Sequence, residues 1–95
     1  MPATIRVESG GPGQFHVTIT EGASQTSHIV SLSPRYYEKL TRKQVPQEVL
    51  IEQSFRFLLE REPKESILRE FDLPLIGRYF PDYENEIRSR LAAQS

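Results

Sequence analysis

Apolar and polar residues alternate along the first third of the chain. The apolar positions recur at every second residue within three short runs, which are Ile5 and Val7; Phe15, Val17 and Ile19; and Val30 and Leu32. A period of two predicts strands with one buried face and one solvated face. Because glycine-rich residues 9–13 and polar residues 21–24 separate the runs, we expect three antiparallel strands in meander order, at about residues 4–8, 15–21 and 26–32.

The apolar faces of the second and third strands also indicate how these strands pair. The two faces coincide when the partners are Ile19 with His28, Val17 with Val30, and Phe15 with Leu32. A shift by one residue would turn the apolar side chains of one strand to water. This register places Ile29 on the outer face of the sheet, and it places His16 and His28 on opposite faces.

The period of the pattern becomes helical at Ser33. Ser33 and Pro34 are typical of a helix start, with a capping hydroxyl followed by proline at the first helical position, and Pro46 opens a second helix similarly. Pro63 is expected to end that helix, because the residue before a proline disfavours helical angles. The predicted helices lie at about residues 34–41, 46–61, 64–71, 73–80 and 83–93.

The helix at residues 46–61 is expected to be the centre of the fold. At about 100° per residue, its apolar side chains cover an arc of about 200°. They are Leu50, Ile51, Phe55, Phe57, Leu58 and Leu59. Surface helices usually bury a stripe of about 100°, so this helix has to be covered from two sides. The sequence therefore predicts an α+β fold, in which a three-stranded antiparallel meander at about residues 4–32 precedes four or five helices packed around helix 46–61.

The composition limits the classes of protein to consider. A chain of 95 residues is expected to form a single domain, residues 1–95. A formal net charge of −1 gives no electrostatic reason to expect a nucleic acid or an anionic membrane as partner. Without cysteine there is no disulfide, thiolate nucleophile or cysteine-containing metal site. Since the apolar runs are too short to span a bilayer and no secretory signal pattern begins the chain, we expect a cytoplasmic protein.

Part of the sequence resembles a known family. The similarity covers about residues 27–87, and the strings that carry it are FRFLLEREP at 55–63, SIL at 66–68, FDL at 71–73 and YFPDY at 79–83. In these strings the chain resembles a family of short bacterial proteins of unknown function. The resemblance implies a complete, autonomous protein, and it implies no activity and no catalytic residue.

The candidate chemistry of the chain is sparse. A metal site commonly needs three or four ligands, and His16 and His28 are the two histidines of the sequence. The glycine-rich residues 10–13 lead from strand to strand rather than into a helix N-terminus, so we interpret them as a hairpin connection and not as a phosphate cradle. The carboxylates of residues 60–70 alternate with lysine and arginine, which is typical of a solvated face. We therefore expect no catalytic residue, no metal and no cofactor.

A basic strip is expected on the first helix. It consists of Arg35, Lys39, Arg42 and Lys43, of which the first three are spaced at i, i+4 and i+7 and would share one face. With Tyr36 beside it, such a strip is suited to contact a nucleic-acid backbone. The alternative, which the small number of cations favours, is a solvated face whose cations pair with the acidic second helix.

Aromatic residues concentrate in the second half of the chain. Six of the nine lie between Phe55 and Tyr83. A domain of this size buries only about 60% of its unfolded surface, so some of these rings are expected to stay accessible. Because contiguous exposed apolar surface marks partner sites, the expected contact residues are Tyr79, Phe80 and Tyr83. Ile29, on the outer face of the sheet, is a second expected contact point.

These observations predict a non-enzymatic cytoplasmic protein. We expect it to act as an interaction module that docks its aromatic helical face on another protein or on a second copy of itself. The alternative is a nucleic-acid-binding regulator that uses the basic strip of the first helix. An enzyme acting on a small molecule is disfavoured, because no group of residues meets the requirements of a catalytic site.

Overall fold

A computed structural model of the chain, which describes residues 3–94, has an α+β architecture. A four-stranded mixed sheet in the order β1-β2-β3-β4 is accompanied by four α-helices. The strands are β1 (Thr4–Ser9), β2 (Gln14–Glu21), β3 (Ser24–Ser31) and β4 (Glu70–Asp72). The helices are α1 (Pro34–Thr41), α2 (Gln47–Leu59), α3 (Leu75–Tyr79) and α4 (Tyr83–Gln94). Of the predicted domain at residues 1–95, residues 1, 2 and 95 lie outside the described residues.

The first three strands pair as antiparallel neighbours, but the predicted register between β2 and β3 is wrong by two residues. Phe15 lies opposite Val30, and Val17 lies opposite His28. The cause is the turn, in which Gly22, with a φ of 60°, and Ala23 join the paired residues Glu21 and Ser24. The prediction assumed a longer turn. Because the error is an even number of residues, every side chain remains on its predicted face.

The predicted helix at residues 64–71 is wrong. The chain forms a short 3₁₀ helix at Lys64–Ser66 and then the strand β4, which pairs in parallel with β3. The Ile29 N–H donates to the Arg69 carbonyl at 2.6 Å. In the alternating sequence Glu-Phe-Asp-Leu at residues 70–73, only Phe71 and Leu73 are buried, and a strand achieves this with one face. The sheet is therefore mixed and four-stranded, not a three-stranded meander, and there are four α-helices.

The other helices form where the pattern predicts them, with some shorter ends. At α1, the Ser33 hydroxyl accepts a hydrogen bond from the Tyr36 N–H at 3.1 Å, which is the expected N-cap. Pro46 is the N-cap of α2 and not its first residue. The predicted helix at residues 73–80 shrinks to α3, because Leu73 still extends the sheet by donating its N–H to the Ser31 carbonyl at 2.9 Å.

The helix α2 is the centre of the core, as its wide apolar arc predicts. It packs against β1 on one side and against α4 on another. The buried side chains of α2 are those of Leu50, Ile51, Ser54, Phe55, Phe57 and Leu58, and Leu59 is half-buried. Arg56 and Glu60 are exposed. The sheet and the helices thus enclose this helix along most of its circumference.

Candidate functional site

An apolar groove lies between the C-terminal end of α2, the segment that leads into β4, and α3. We call it the aromatic groove, and its volume is about 430 Å³. Its lining residues are Leu58, Glu62, Ser66, Ile67, Leu68, Phe71, Leu75, Ile76, Tyr79 and Phe80. This volume falls within the range of about 300–1,000 Å³ that is typical of ligand pockets. The groove is the concave apolar surface that brings two of the predicted contact residues, Tyr79 and Phe80, together.

The groove forms because three short segments follow α2 in quick succession. Pro63 separates α2 from the 3₁₀ helix, β4 then returns the chain to the sheet, and Pro74 starts α3. Three apolar side chains are buried in the core along this stretch: Ile67 just after the 3₁₀ helix, Phe71 in β4 and Ile76 in α3. The neighbouring side chains are then left at the rim.

Two large apolar side chains remain exposed at this rim. Tyr79 is 66% exposed and Leu68 is 48% exposed, and both line the groove. Single exposed apolar residues are common on protein surfaces and need no functional explanation. Two of them beside a concave apolar surface form the kind of patch that is typical of a partner site.

The wall of the groove at Phe80 is fixed by contacts with the Phe57 ring and, behind it, the Arg61 guanidinium. Phe80 packs edge-on against Phe57, with the ring centroids 5.9 Å apart. The Arg61 guanidinium lies 3.7 Å from the centroid of the Phe57 ring and donates to the Asp82 carboxylate at 2.6 Å. Because packing and an ion pair fix these neighbours, Phe80 presents a fixed side to the groove.

The expectation that Tyr83 contributes to an exposed contact surface is wrong. Tyr83 is fully buried, with its ring 5.3 Å from that of Phe57. The Ser54 hydroxyl donates to the Leu50 carbonyl at 2.8 Å, so its oxygen is left to accept from the Tyr83 hydroxyl at 2.7 Å. Burial raises the pKa of the Tyr83 phenol well above its usual range. Tyr83 therefore supports α4 against α2 from inside the core.

The lining residues of the groove include one carboxylate, that of Glu62, and two hydroxyls, those of Ser66 and Tyr79. Glu62 is half-buried, and no ion pair joins it to another residue within the described range 3–94. The two nearest cations in the sequence already have carboxylate partners, since Arg61 pairs with Asp82 and Lys64 pairs with Glu65. An unpaired carboxylate in an apolar surrounding favours a cationic group on whatever binds there.

Ile29 lies on the outer face of the sheet, as the pattern predicts, and this face is opposite the one that carries the groove. It is 39% exposed on the outer face of the sheet. Its neighbours in the sheet, His16 on β2 and Glu70 on β4, are polar and exposed. The groove lies on the other face, the side of Phe71. Ile29 and Tyr79 thus belong to different surfaces.

The two histidines lie on opposite faces of the hairpin, as predicted. His16 is exposed and His28 is buried. The His28 Nδ1 lies 2.8 Å from the Leu68 carbonyl and so donates to it, which leaves Nε2 to accept from the Thr26 hydroxyl at 2.9 Å. Burial lowers the pKa of His28, and the positive charge of Arg69 lowers it further. Among the described residues there is no group of three His, Asp or Glu side chains placed to hold a metal ion.

The four cations of the basic strip are exposed, but Arg42, which is expected to share a helical face with Arg35 and Lys39, lies beyond the end of α1. Arg42 and Lys43 have left α1, with φ angles of 53° and 61°. Lys39 pairs with Glu84 of α4 at 3.6 Å, and Lys43 pairs with Glu38 of its own helix at 3.9 Å. The expected pairing with the acidic second helix is therefore not observed. Arg35 and Arg42 remain exposed, and nucleic-acid binding by this strip stays a prediction.

Most of the groove lies outside the residues that the sequence pattern indicates. Ile67, Leu68 and Phe71 fall in the predicted helix at residues 64–71, which does not form, and Glu62 falls in the charged face that is predicted to be solvated. The available signal was the alternation at residues 70–73, together with the two prolines that confine the segment, Pro63 and Pro74.

Comparison of the chain with protein-family models, with curated proteins and with solved structures finds no match. The resemblance to a family of short bacterial proteins therefore stays a prediction. No helix among residues 3–94 is long and apolar enough to cross a membrane.

Proposed function

We propose that this protein is a non-enzymatic, cytoplasmic interaction module. Its aromatic groove binds an apolar segment of a partner protein, and that segment carries a lysine or arginine next to its apolar anchor. The observation that carries the proposal is the combination of Tyr79 and Leu68, both exposed, with the unpaired Glu62 in one concave surface.

The shape and polarity of the groove support a protein segment as the occupant. Hot spots of protein interfaces centre on apolar or aromatic anchors that fill pockets, surrounded by a polar rim. Leu68 and Tyr79 are suited to enclose one such anchor from two sides. The half-buried carboxylate of Glu62 is suited to a cation beside the anchor, because a carboxylate that loses water when a partner binds is stabilised by an opposite charge.

The buried polar side chains support a non-enzymatic role, because each of them is engaged within the fold. His28 binds Leu68 and Thr26, and Ser54 binds Leu50 and Tyr83. A catalytic base or nucleophile needs a free side directed to a substrate. Two of these hydrogen bonds, from His28 to Leu68 and between Ser54 and Tyr83, join segments that are distant in the chain, and the other two lie within β3 and α2.

A display library of random short peptides tests the proposal without a known partner. Selection against the full chain should enrich peptides with a large apolar residue flanked by lysine or arginine. Binding of an enriched peptide should weaken about tenfold in the Tyr79→Ala and Leu68→Ser variants, as expected when an anchor contact is lost. The Glu62→Gln variant should bind the same peptide more weakly and should lose the preference for its lysine or arginine.

Ile29→Ser is the matched control, because it also replaces an exposed apolar residue but on the outer face of the sheet. It should leave peptide binding unchanged. Enriched peptides that bind the groove variants as well as the unaltered protein, or that lose affinity only in Ile29→Ser, would contradict the proposal.

A further inference from the structure

The strand β1 forms one edge of the sheet, and β2 is its one partner among the residues that the structure describes. At the end of this ladder the Gly10 N–H donates to the Gln14 carbonyl at 2.9 Å. Hydrogen-bonded pairs alternate along an antiparallel ladder, so the even-numbered residues of β1 direct their N–H and C=O groups to β2. The N–H and C=O groups of Ile5, Val7 and Ser9 therefore point away from β2, towards the free edge.

This edge is open along the described part of β1. Within residues 3–94, no backbone hydrogen bond from outside β2 reaches the strand. Val7 faces the helices but is only half-buried, so the helix layer stops short of covering it. The opposite edge differs, because β4 has three residues, of which Glu70 and Asp72 are exposed carboxylates. Short, charged edge strands resist strand addition, whereas a six-residue edge such as β1 permits it.

We propose that β1 pairs antiparallel with β1 of a second copy of this chain, about a two-fold axis at Val7. The two sheets then form one continuous sheet. Val7 faces its own copy, and Ile5 faces Ser9 of the second copy. These pairs use the outward N–H and C=O groups, which gives about six intermolecular hydrogen bonds. The surface involved is distinct from the aromatic groove, so this inference does not depend on the proposed function.

Charge selects this register over its neighbours. Inner residues have to face inner residues, so the axis lies at a residue and not between two. An axis at Arg6 would place Arg6 opposite its own copy, and an axis at Glu8 would do the same for Glu8. Like charges directly opposite each other are destabilising. Only an axis at Val7 places Arg6 opposite Glu8 of the second copy, and it does so twice.

The two charged side chains are exposed, and the ion pair that they form within one chain can be exchanged for these contacts. The Arg6 and Glu8 side chains are 74% and 56% exposed on the outer face of the sheet, where they lie 3.4 Å apart within one chain. Substitution of either residue therefore alters the edge without touching the core. The interface is small, so the dimer is expected to be weak and to depend on concentration.

Sedimentation velocity of the full chain, from about 10 μM to about 1 mM, tests the inference in a range suited to small interfaces. The unaltered protein should show a monomer–dimer equilibrium. Arg6→Glu and Glu8→Arg should each raise the dimer dissociation constant about tenfold, because each replaces two attractive pairs by two repulsive ones. The double variant Arg6→Glu/Glu8→Arg should restore the original constant.

A mixture of the two single variants gives the sharpest result. In the Val7 register, Arg6→Glu and Glu8→Arg chains are complementary at both pairs, so they should form a heterodimer that is tighter than either homodimer. Thermal unfolding of both variants should match that of the unaltered protein, and Tyr79→Ala should dimerise normally. A protein that stays monomeric throughout the range would overturn the inference. So would charge variants that dimerise like the unaltered protein, or dimerisation that is lost in Tyr79→Ala.

Discussion

Residues 3–59 and the segment at residues 60–82 form structure in different ways. The first region consists of long elements, three strands of six to eight residues and two helices, whose hydrogen bonds lie mostly within the ladder or the helix. The second region has a 3₁₀ helix of three residues, a strand of three and a helix of five. Elements this short have few hydrogen bonds of their own and depend on their surroundings.

The contacts that hold the second region come from the first. The buried Lys64 ammonium pairs with Glu21 at the β2–β3 turn at 3.1 Å, and with Glu65. The buried His28 on β3 donates to the Leu68 carbonyl. The Phe55 ring on α2 lies 5.9 Å from that of Phe71. The aromatic groove is therefore shaped by β2, β3 and α2, although Leu58 is its one lining residue that belongs to any of them.

Phe55 joins the two regions, and its removal is expected to have the largest effect. It is fully buried between His28 and Phe71. Phe55→Ala should lower the free energy of unfolding by about 3–4 kcal/mol through lost burial and the cavity it leaves. Urea unfolding measures this change. The control is the next residue, the exposed Arg56, for which Arg56→Ala should change the free energy by no more than about 0.5 kcal/mol. Equal effects of the two substitutions would contradict the placement of α2.

Protonation of His28 should lower the free energy of unfolding by less than the Phe55→Ala substitution does. The pKa of His28 is lowered in the folded protein from 6.5, mainly by burial, so the unfolded chain binds the proton first. The contribution of His28 to stability is fully present above pH 6.5 and is lost as pH falls through the lowered pKa. Thermal unfolding between about pH 5 and pH 8 should show this loss in the unaltered protein and equally in His16→Gln. If His16→Gln abolishes the pH dependence in this range, the assignment to His28 is wrong.

The two tyrosines near the C-terminus allow the finest comparison. The Tyr83 hydroxyl donates to Ser54 inside the core, whereas Tyr79 is 66% exposed. Tyr83→Phe should cost about 1 kcal/mol of unfolding free energy for the lost buried hydrogen bond. Tyr79→Phe should change it by less than about 0.5 kcal/mol. Denaturant titrations of the two variants check this difference, and its reversal would place the wrong tyrosine in the core.

The same division explains how much of the fold could be predicted. Ile5, Phe15, Val17 and Ile19 alternate in runs long enough for a period to be recognised, and all four are buried as expected. The helix α1 begins at Pro34 because Ser33 supplies a local cap. The predicted register of β2 and β3 is wrong because it depends on the length of the turn at Gly22, and a turn longer by two residues leaves every side chain on the same face.

The aromatic groove is harder to predict, because the conformation of its segments depends on contacts with residues that are distant in the sequence. Residues 64–71 contain Ile67, Leu68 and Phe71 at a spacing that also fits a helix. The strand β4 forms because β3 offers hydrogen-bonding groups some forty residues earlier in the chain, as at Ile29 and Arg69. Tyr79 and Tyr83 are four residues apart in one aromatic cluster. Because α3 ends at Tyr79 and α4 begins at Tyr83, the Tyr79 ring is exposed and the Tyr83 ring is buried.

The parallel pairing of β4 with β3 has a consequence for the nascent chain. Since a ribosome makes the N-terminal strands first, β3 is an edge strand of the growing sheet, opposite the edge at β1, until β4 has been synthesised. During that interval its backbone groups at Ile29 and Ser31 have no strand to bind, and Ile29 adds an apolar side chain beside them. The last small strand thus closes a surface that would otherwise favour aggregation, and it does so only after α2 has been made.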